Sequence, residues 1–233
     1  MISVFHRQWK AFFHSWMFFA VCAALFAALG VLVVTFHGAY GYSNVEYLLF
    51  LLMVVFSLLL PLLTSFVFKE ERKRSIQRFL RTLPLSERDV VLGKYLSFLA
   101  LIGGFSAILL LLPMLLGLWG TVNYASAYMA IFGFFLFALA LLSVNFFLAL
   151  CFKNPWISLS VSYGVTALLI AQIYLTDLLP SAIGDVLERF SLFGVYAPFI
   201  YGITDLRAVV LYLSVGALFL LLTVFSSEKL WKE

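Results

Sequence analysis

Apolar residues fall into six long blocks, at residues 16–36, 47–68, 94–119, 128–152, 156–176 and 206–225, separated by shorter polar or glycine-bearing connections. Crossing the hydrocarbon layer takes about 20 apolar residues of helix, so each block predicts one membrane-spanning helix. Ahead of the first block, Phe5, Trp9, Phe12, Phe13 and Trp16 recur at helical spacing, while His6, Arg7, Lys10 and His14 fall on the other side. That division predicts an interfacial helix over residues 1–15, with rings at headgroup depth and basic groups toward anionic lipid; a plain cytoplasmic extension of span 1 is the alternative. No small-x-small cleavage signal stands near the end of the first block, which predicts a retained span.

Breakers refine the picture. Pro61 predicts a kink in span 2, and Gly103, Gly104, Pro113 and Gly117 make span 3 the least regular, with glycines that allow another helix close approach. Asn154 followed by Pro155 predicts a sharp start to span 5. Between residues 177 and 205, Leu179, Ile183, Val186, Leu187 and Phe190 repeat at helical spacing opposite Asp185, Glu188 and Arg189. This predicts a short amphipathic helix dipping into the outer interface, then a return through Gly194, Pro198 and Gly202.

Composition excludes a large soluble domain: 64% of the 233 residues are hydrophobic, 11% are charged, and the mean hydropathy is +1.09. The net charge of +4 acquires its meaning from placement. The connections at 37–46 and 120–126 carry no Lys or Arg, and six spans with both termini inside leave only Arg189 and Arg207 outside, against 13 basic residues on the cytoplasmic face. That bias predicts the orientation and assigns the charge to topology, not to nucleic acid. Cys22 and Cys151 lie in apolar runs without metal-ligand spacing and read as packing residues.

The span interiors contain no Asp, Glu, Lys, Arg or His, which disfavours an intramembrane protease, a metal-dependent membrane enzyme and a proton-coupled carrier. Neutral polar residues do occur there. Ser57, Thr64 and Ser65 mark span 2, Asn145 span 4, and Ser158, Ser160, Ser162, Thr166 and Gln172 span 5. Helix packing and a translocation path are the two readings, the path candidates being Ser57, Thr64, Asn145, Ser158, Ser162, Thr166 and Gln172.

The one conspicuously wet stretch lies between spans 2 and 3, and residues 69–95 hold eight of the 15 Lys and Arg. Ile76, Phe79, Leu80 and Leu83 form an apolar stripe flanked by Arg72, Arg74, Arg78 and Arg81, which predicts a short amphipathic helix ended by Pro84. Ser86 and Asp89 have capping-box spacing, so the next helix should begin in the cytoplasm. A basic retention loop needs charge but neither the stripe nor the cap. Gly93-Lys94 is no phosphate loop, because Arg88 stands where the motif requires glycine.

At these residues the chain resembles the permease subunits of ABC-2 type transporters. Glu71-Arg72, Leu80, Thr82, Pro84-Leu85-Ser86 and the run from Val90 through Gly93-Lys94-Tyr95 match that family's cytoplasmic motif in spacing, while Ser75-Ile76 and Arg78 stand where Gly-Thr and Glu are usual. Tyr201-Gly202-Ile203-Thr204-Asp205-Leu206-Arg207 and the apolar run after it are similar to the branch of gliding-motility and nitrous-oxide-reductase-maturation permeases.

The resemblance implies an all-α integral membrane protein, a single domain over 1–233, with six transmembrane helices, an N-terminal interfacial helix, a cytoplasmic coupling helix at 69–86 and an outer re-entrant, amphipathic segment at 177–205. It also implies a separate ATPase in two copies that carries the ATP and Mg2+, none being bound directly by this chain. A second permease copy or paralogue would complete the pathway, with room for an additional extracytoplasmic subunit. Ile76, Phe79 and Leu80 would be buried anchors, with Glu70, Glu71, Arg72 and Arg78 as polar contacts and Pro84 as the stop. A membrane scaffold holding a cytoplasmic partner is the competing class.

Overall fold

Helix is the only regular structure among the described residues of the computed structural model, which are 2–39, 45–71, 87–118, 120–152, 154–178 and 191–232. Among these residues six helical stretches are long and apolar enough to cross a membrane, over Trp16–Phe36, Val45–Phe68, Arg88–Leu116, Tyr124–Cys151, Pro155–Gln172 and Leu206–Ser227. They belong to α2 (Trp16–Val33, continued by a π-helical turn), α3 (Val45–Glu71), α4 and α5 (Glu87–Leu109 and Leu112–Leu116), α6 (Tyr124–Cys151), α7 (Pro155–Leu178) and α9 (Leu206–Lys232). α1 (Ile2–His14) precedes them, and the short α8 (Ala197–Ile200) lies between α7 and α9.

α6 is the hub. Two-thirds of its span (67%) is buried inside the chain, against 22% for α9 and 17% for α2 and α7, so the other helices are arranged around it. Its small residues permit this: Ala127, Ala130, Gly133, Ala138, Ala140 and Ser143 bring neighbouring backbones close. α9 approaches it closely: a Cβ on Gly216 would stand 2.7 Å from a methyl of Leu139.

Breakers behave according to local hydrogen bonding. Pro61 sits inside a continuous α3, and the Thr64 hydroxyl just beyond it donates to the carbonyls of both Leu60 and Pro61 at 3.2 Å. Pro113 lacks an N–H, and the third span breaks into two helices at Leu110–Leu111 immediately before it. Gly103 and Gly104 differ from expectation, since among the described residues a Cβ at either would meet nothing within 4 Å. The Asn154 side chain accepts from Trp156 N–H at 3.0 Å at the start of α7, and Asp205 does the same for Arg207 N–H at 2.9 Å at the start of α9.

α1 runs across α4, not alongside it. The Phe5 carbonyl accepts from the Ser97 hydroxyl at 3.5 Å, and the Phe12 ring lies 4.9 Å from that of Phe98. Two contacts about 10 Å apart along α1, at a rise of 1.5 Å per residue, thus meet adjacent residues of α4. The buried stripe of α1 is Val4, Gln8 and Phe12. Phe5, Trp9 and Phe13 form a neighbouring aromatic ladder with centroid spacings of 5.8 and 5.6 Å, and His6, Lys10 and His14 are exposed. The expected single apolar face is therefore divided in two, one stripe packed on α4 and the next, which ends in the half-exposed Phe13, only partly covered.

After α7, residues 179–190, where the amphipathic helix is expected, lie outside the described residues. The return at 191–205 folds into the bundle. Phe193 packs 4.9 Å from Phe137, the wholly buried Tyr196 donates its hydroxyl to the Ala130 carbonyl at 3.0 Å, and Gly202 takes a positive φ of 75° to turn the chain into α9. Tyr212 on α9 donates to the Leu192 carbonyl at 2.7 Å, tying the segment down. Tyr212→Phe would strand that buried carbonyl, so a loss of about 1–2 kcal/mol is expected as a lower thermal midpoint in detergent.

Candidate functional site

Two regions carry the residues singled out by sequence. The first is where α3 ends and α4 begins. α3 continues past its apolar run through Glu70 to Glu71, and α4 already begins at Glu87. Both helices therefore extend beyond their apolar spans toward the connection. Arg72, Ile76, Arg78, Phe79, Leu80 and Pro84, with the rest of 72–86 including the Ser86 cap, lie outside the described residues.

What this connection would pull on is well defined. Phe146 of α6 collects rings from two helices: Phe68 of α3 at 4.9 Å, and Tyr95 and Phe98 of α4 at 5.8 and 5.6 Å. The Tyr95 hydroxyl pairs with that of Ser143 at 2.8 Å, and Phe12 of α1 reaches Phe98. Lys94 is buried to 7% exposure, with its Nζ 5.2 Å from the Phe68 ring centre. A cation over a ring in a dry setting is worth about 1–2 kcal/mol, so Lys94 helps hold α4 to α3. Four helices are thereby clamped at one level just above the connection. Phe146 cannot be singled out in the sequence, because one Phe among 26 carries no signal of its own.

The second region is the contact between α3 and α7. Ser158, Ser162 and Thr166 stand one turn apart and are all about 1% exposed, forming a buried polar stripe on α7. The hydroxyls of Ser65 and Ser158 lie 3.5 Å apart across the contact. Most of the remaining groups bond within their own helix: Ser57 donates to the Val54 carbonyl at 2.7 Å, Thr166 to Ser162 at 2.9 Å, and the Asn145 amide to Leu141 at 2.9 Å. Three oxygens remain without a hydrogen-bond partner, namely Asn145 Oδ1, Ser162 Oγ and Gln172 Oε1. Gln172 stands off the Ser158–Ser162–Thr166 stripe, half-buried near the C-terminal end of α7. Ser160 faces outward and is exposed. Ser158→Leu should wedge α7 from α3 and lower the thermal midpoint, whereas Ser160→Leu should leave it within the range of a surface change, about 0.5 kcal/mol.

Glu46 was expected in the outer loop; it sits instead in the first turn of α3, buried, and accepts a hydrogen bond from the Ser126 hydroxyl of α6. An acid at a helix start is stabilised by the free N–H groups there, which lowers the cost of enclosing it. No cluster of three His, Cys, Asp or Glu side chains fit to hold a metal occurs among the described residues, and Cys22 and Cys151 are free thiols.

No individual curated protein matches the chain. A family profile described as ABC-2 family transporter protein matches residues 9–169, a stretch that runs from α1 into α7 and includes the connection between α3 and α4. Covering well over half of the sequence, that match joins the six apolar helices in one conclusion: the chain belongs to the ABC-2 transporter family.

Proposed function

We propose that this chain is the permease subunit of an ATP-driven exporter in the cytoplasmic membrane, with both termini cytoplasmic and residues 69–86 serving as the coupling helix. A separate ATPase, bound as two copies, carries ATP and Mg2+, and a second permease copy or paralogue completes the pathway. The observation that carries this reading is the family match across the connection at which α3 and α4 run past their apolar spans. α1 lies in the inner interface, and the segment 177–205 is re-entrant from the outside. Within the family, the similarity of residues 201–231 favours the gliding-motility and nitrous-oxide-reductase-maturation branch.

Closure of the two ATPases on ATP would shift the coupling helices, and the ring cluster around Phe146 would pass that shift to α3, α4 and α6 together. The buried hydroxyls between α3 and α7, with the unpartnered oxygens of Asn145, Ser162 and Gln172, are the polar groups that a second packing would open to cargo. Purification of the complex in mild detergent tests the reading. ATP hydrolysis that co-purifies and is lost on deleting 72–83 supports it; a partner that binds no nucleotide replaces it with a scaffold.

A further inference from the structure

Between α1, α2, α3 and α4 lies a cavity of about 230 Å3 with apolar walls, bounded by Trp9, Phe18, Phe26, Leu60, Gly104 and Ile108. It is a slot. Its α4 wall runs from Phe98 to Ile108, about 15 Å at 1.5 Å per residue, and its α2 wall from Phe18 to Phe26, about 12 Å. The long axis therefore follows the spans, and Trp9 of α1 lies at its inner end because α1 crosses α4 at Ser97 and Phe98. Beside Trp9 on α1 runs the exposed stripe of His6, Lys10 and His14.

We propose that this slot holds one acyl chain of an anionic phospholipid from the cytoplasmic leaflet, with the headgroup at Lys10. Shape, polarity and charge each select that occupant. An apolar slot that runs along the spans suits an extended hydrocarbon chain and offers a polar cargo almost no hydrogen-bond partner. Its position among helices that traverse the bilayer gives lipid direct access. A long cationic side chain on the rim, one residue from the ring that lines the inner end, fits a negative headgroup at interface depth. Such a lipid would brace α1 against α2 and α4. The inference rests on the inward orientation of α1 and not on the ATPase, so its failure would leave the permease reading intact.

The test uses the full chain with Trp9 as its sole tryptophan, the others replaced by phenylalanine, in phosphatidylcholine nanodiscs. Quenching of Trp9 fluorescence is measured on adding phosphatidylglycerol or phosphatidylcholine brominated near the headgroup end of the chain. Phosphatidylglycerol should reach half-quenching at about five-fold lower mole fraction, the preference one basic residue at the surface supplies. Lys10→Gln should abolish the preference. A side chain at Gly104 has open space around it and projects into the slot, so Gly104→Leu should lower the quenching plateau without unfolding the protein, thermal melting serving as the control. Equal quenching by the two lipids, a preference that survives Lys10→Gln, or a plateau unmoved by Gly104→Leu would each overturn the proposal.

Discussion

Gly133→Val is expected to cost about 3 kcal/mol or more and to lower the thermal midpoint by roughly 6–12 °C, among the largest effects of any single substitution in the bundle. Gly133 is buried in the first half of α6, facing the segment 191–205. A Cβ there would stand 2.8 Å from Cγ of Phe199, 2.9 Å from Cε2 of Tyr196 and 3.0 Å from Cδ2 of Phe199. Neither ring can retreat. Tyr196 is 0% exposed, stacked against Phe50 and hydrogen-bonded to Ala130, while Phe199 is 0% exposed against Phe132. The new methyls would therefore expel the 191–205 segment and, through Tyr212, loosen α9. Gly104→Ala is the control: its Cβ meets nothing, and alanine favours helix over glycine by about 0.5–1 kcal/mol, so its midpoint should hold or rise. A melting series in detergent distinguishes the two, and a Gly133→Val midpoint equal to wild type would show that the return does not pack on α6 in this way.

The second large effect is functional. Phe79→Asp should uncouple ATP hydrolysis from transport while leaving insertion and folding unchanged. Buried aromatic anchors at protein interfaces are worth about 2 kcal/mol or more, so their loss weakens docking by roughly 30-fold or more, and a desolvated carboxylate in the same pocket adds to the deficit. Phe79 lies outside the six apolar blocks in sequence, so insertion does not depend on its hydrophobicity. ATPase binding to nanodisc-embedded permease, measured beside the thermal midpoint, checks both halves; binding at wild-type affinity would remove Phe79 from the interface.

What the sequence reveals and what it conceals divide along physical lines. The spans are legible because a hydrocarbon layer imposes a length of about 20 apolar residues on each crossing, and the break before Pro113 follows from a missing N–H. The rank of the helices is not legible. Spans 2, 3, 4 and 6 have hydropathies of 2.5 to 2.6, yet their burial inside the chain runs from 22% for span 6 to 67% for span 4, since lipid and protein interior are equally apolar and hydropathy cannot separate them. The small residues of α6 carry that information, in Ala130, Gly133 and Ser143 and not in its leucines. Glycine alone misleads: Gly133 and Gly216 mark tight contacts, whereas Gly103 and Gly104 face open space.

Candidate site residues show the same division. Ser158, Ser162 and Thr166 are recognisable as a stripe from their spacing of four, but whether a hydroxyl serves the fold or a cargo depends on its partner. Thr166 is satisfied by its own helix, and Ser162 Oγ is not. Glu46 was hidden because its first-turn position and its Ser126 partner, 80 residues away, are invisible in a local window.

The central claim is that a separate nucleotide-driven protein grips this chain at residues 69–86. A photoreactive phenylalanine analogue placed at position 79 and irradiated in intact membranes tests it most directly. The account predicts one major protein adduct, carrying a nucleotide-binding ATPase, with a yield that changes when ATP is trapped. Adducts with lipid alone, or with a protein that binds no nucleotide, would contradict it.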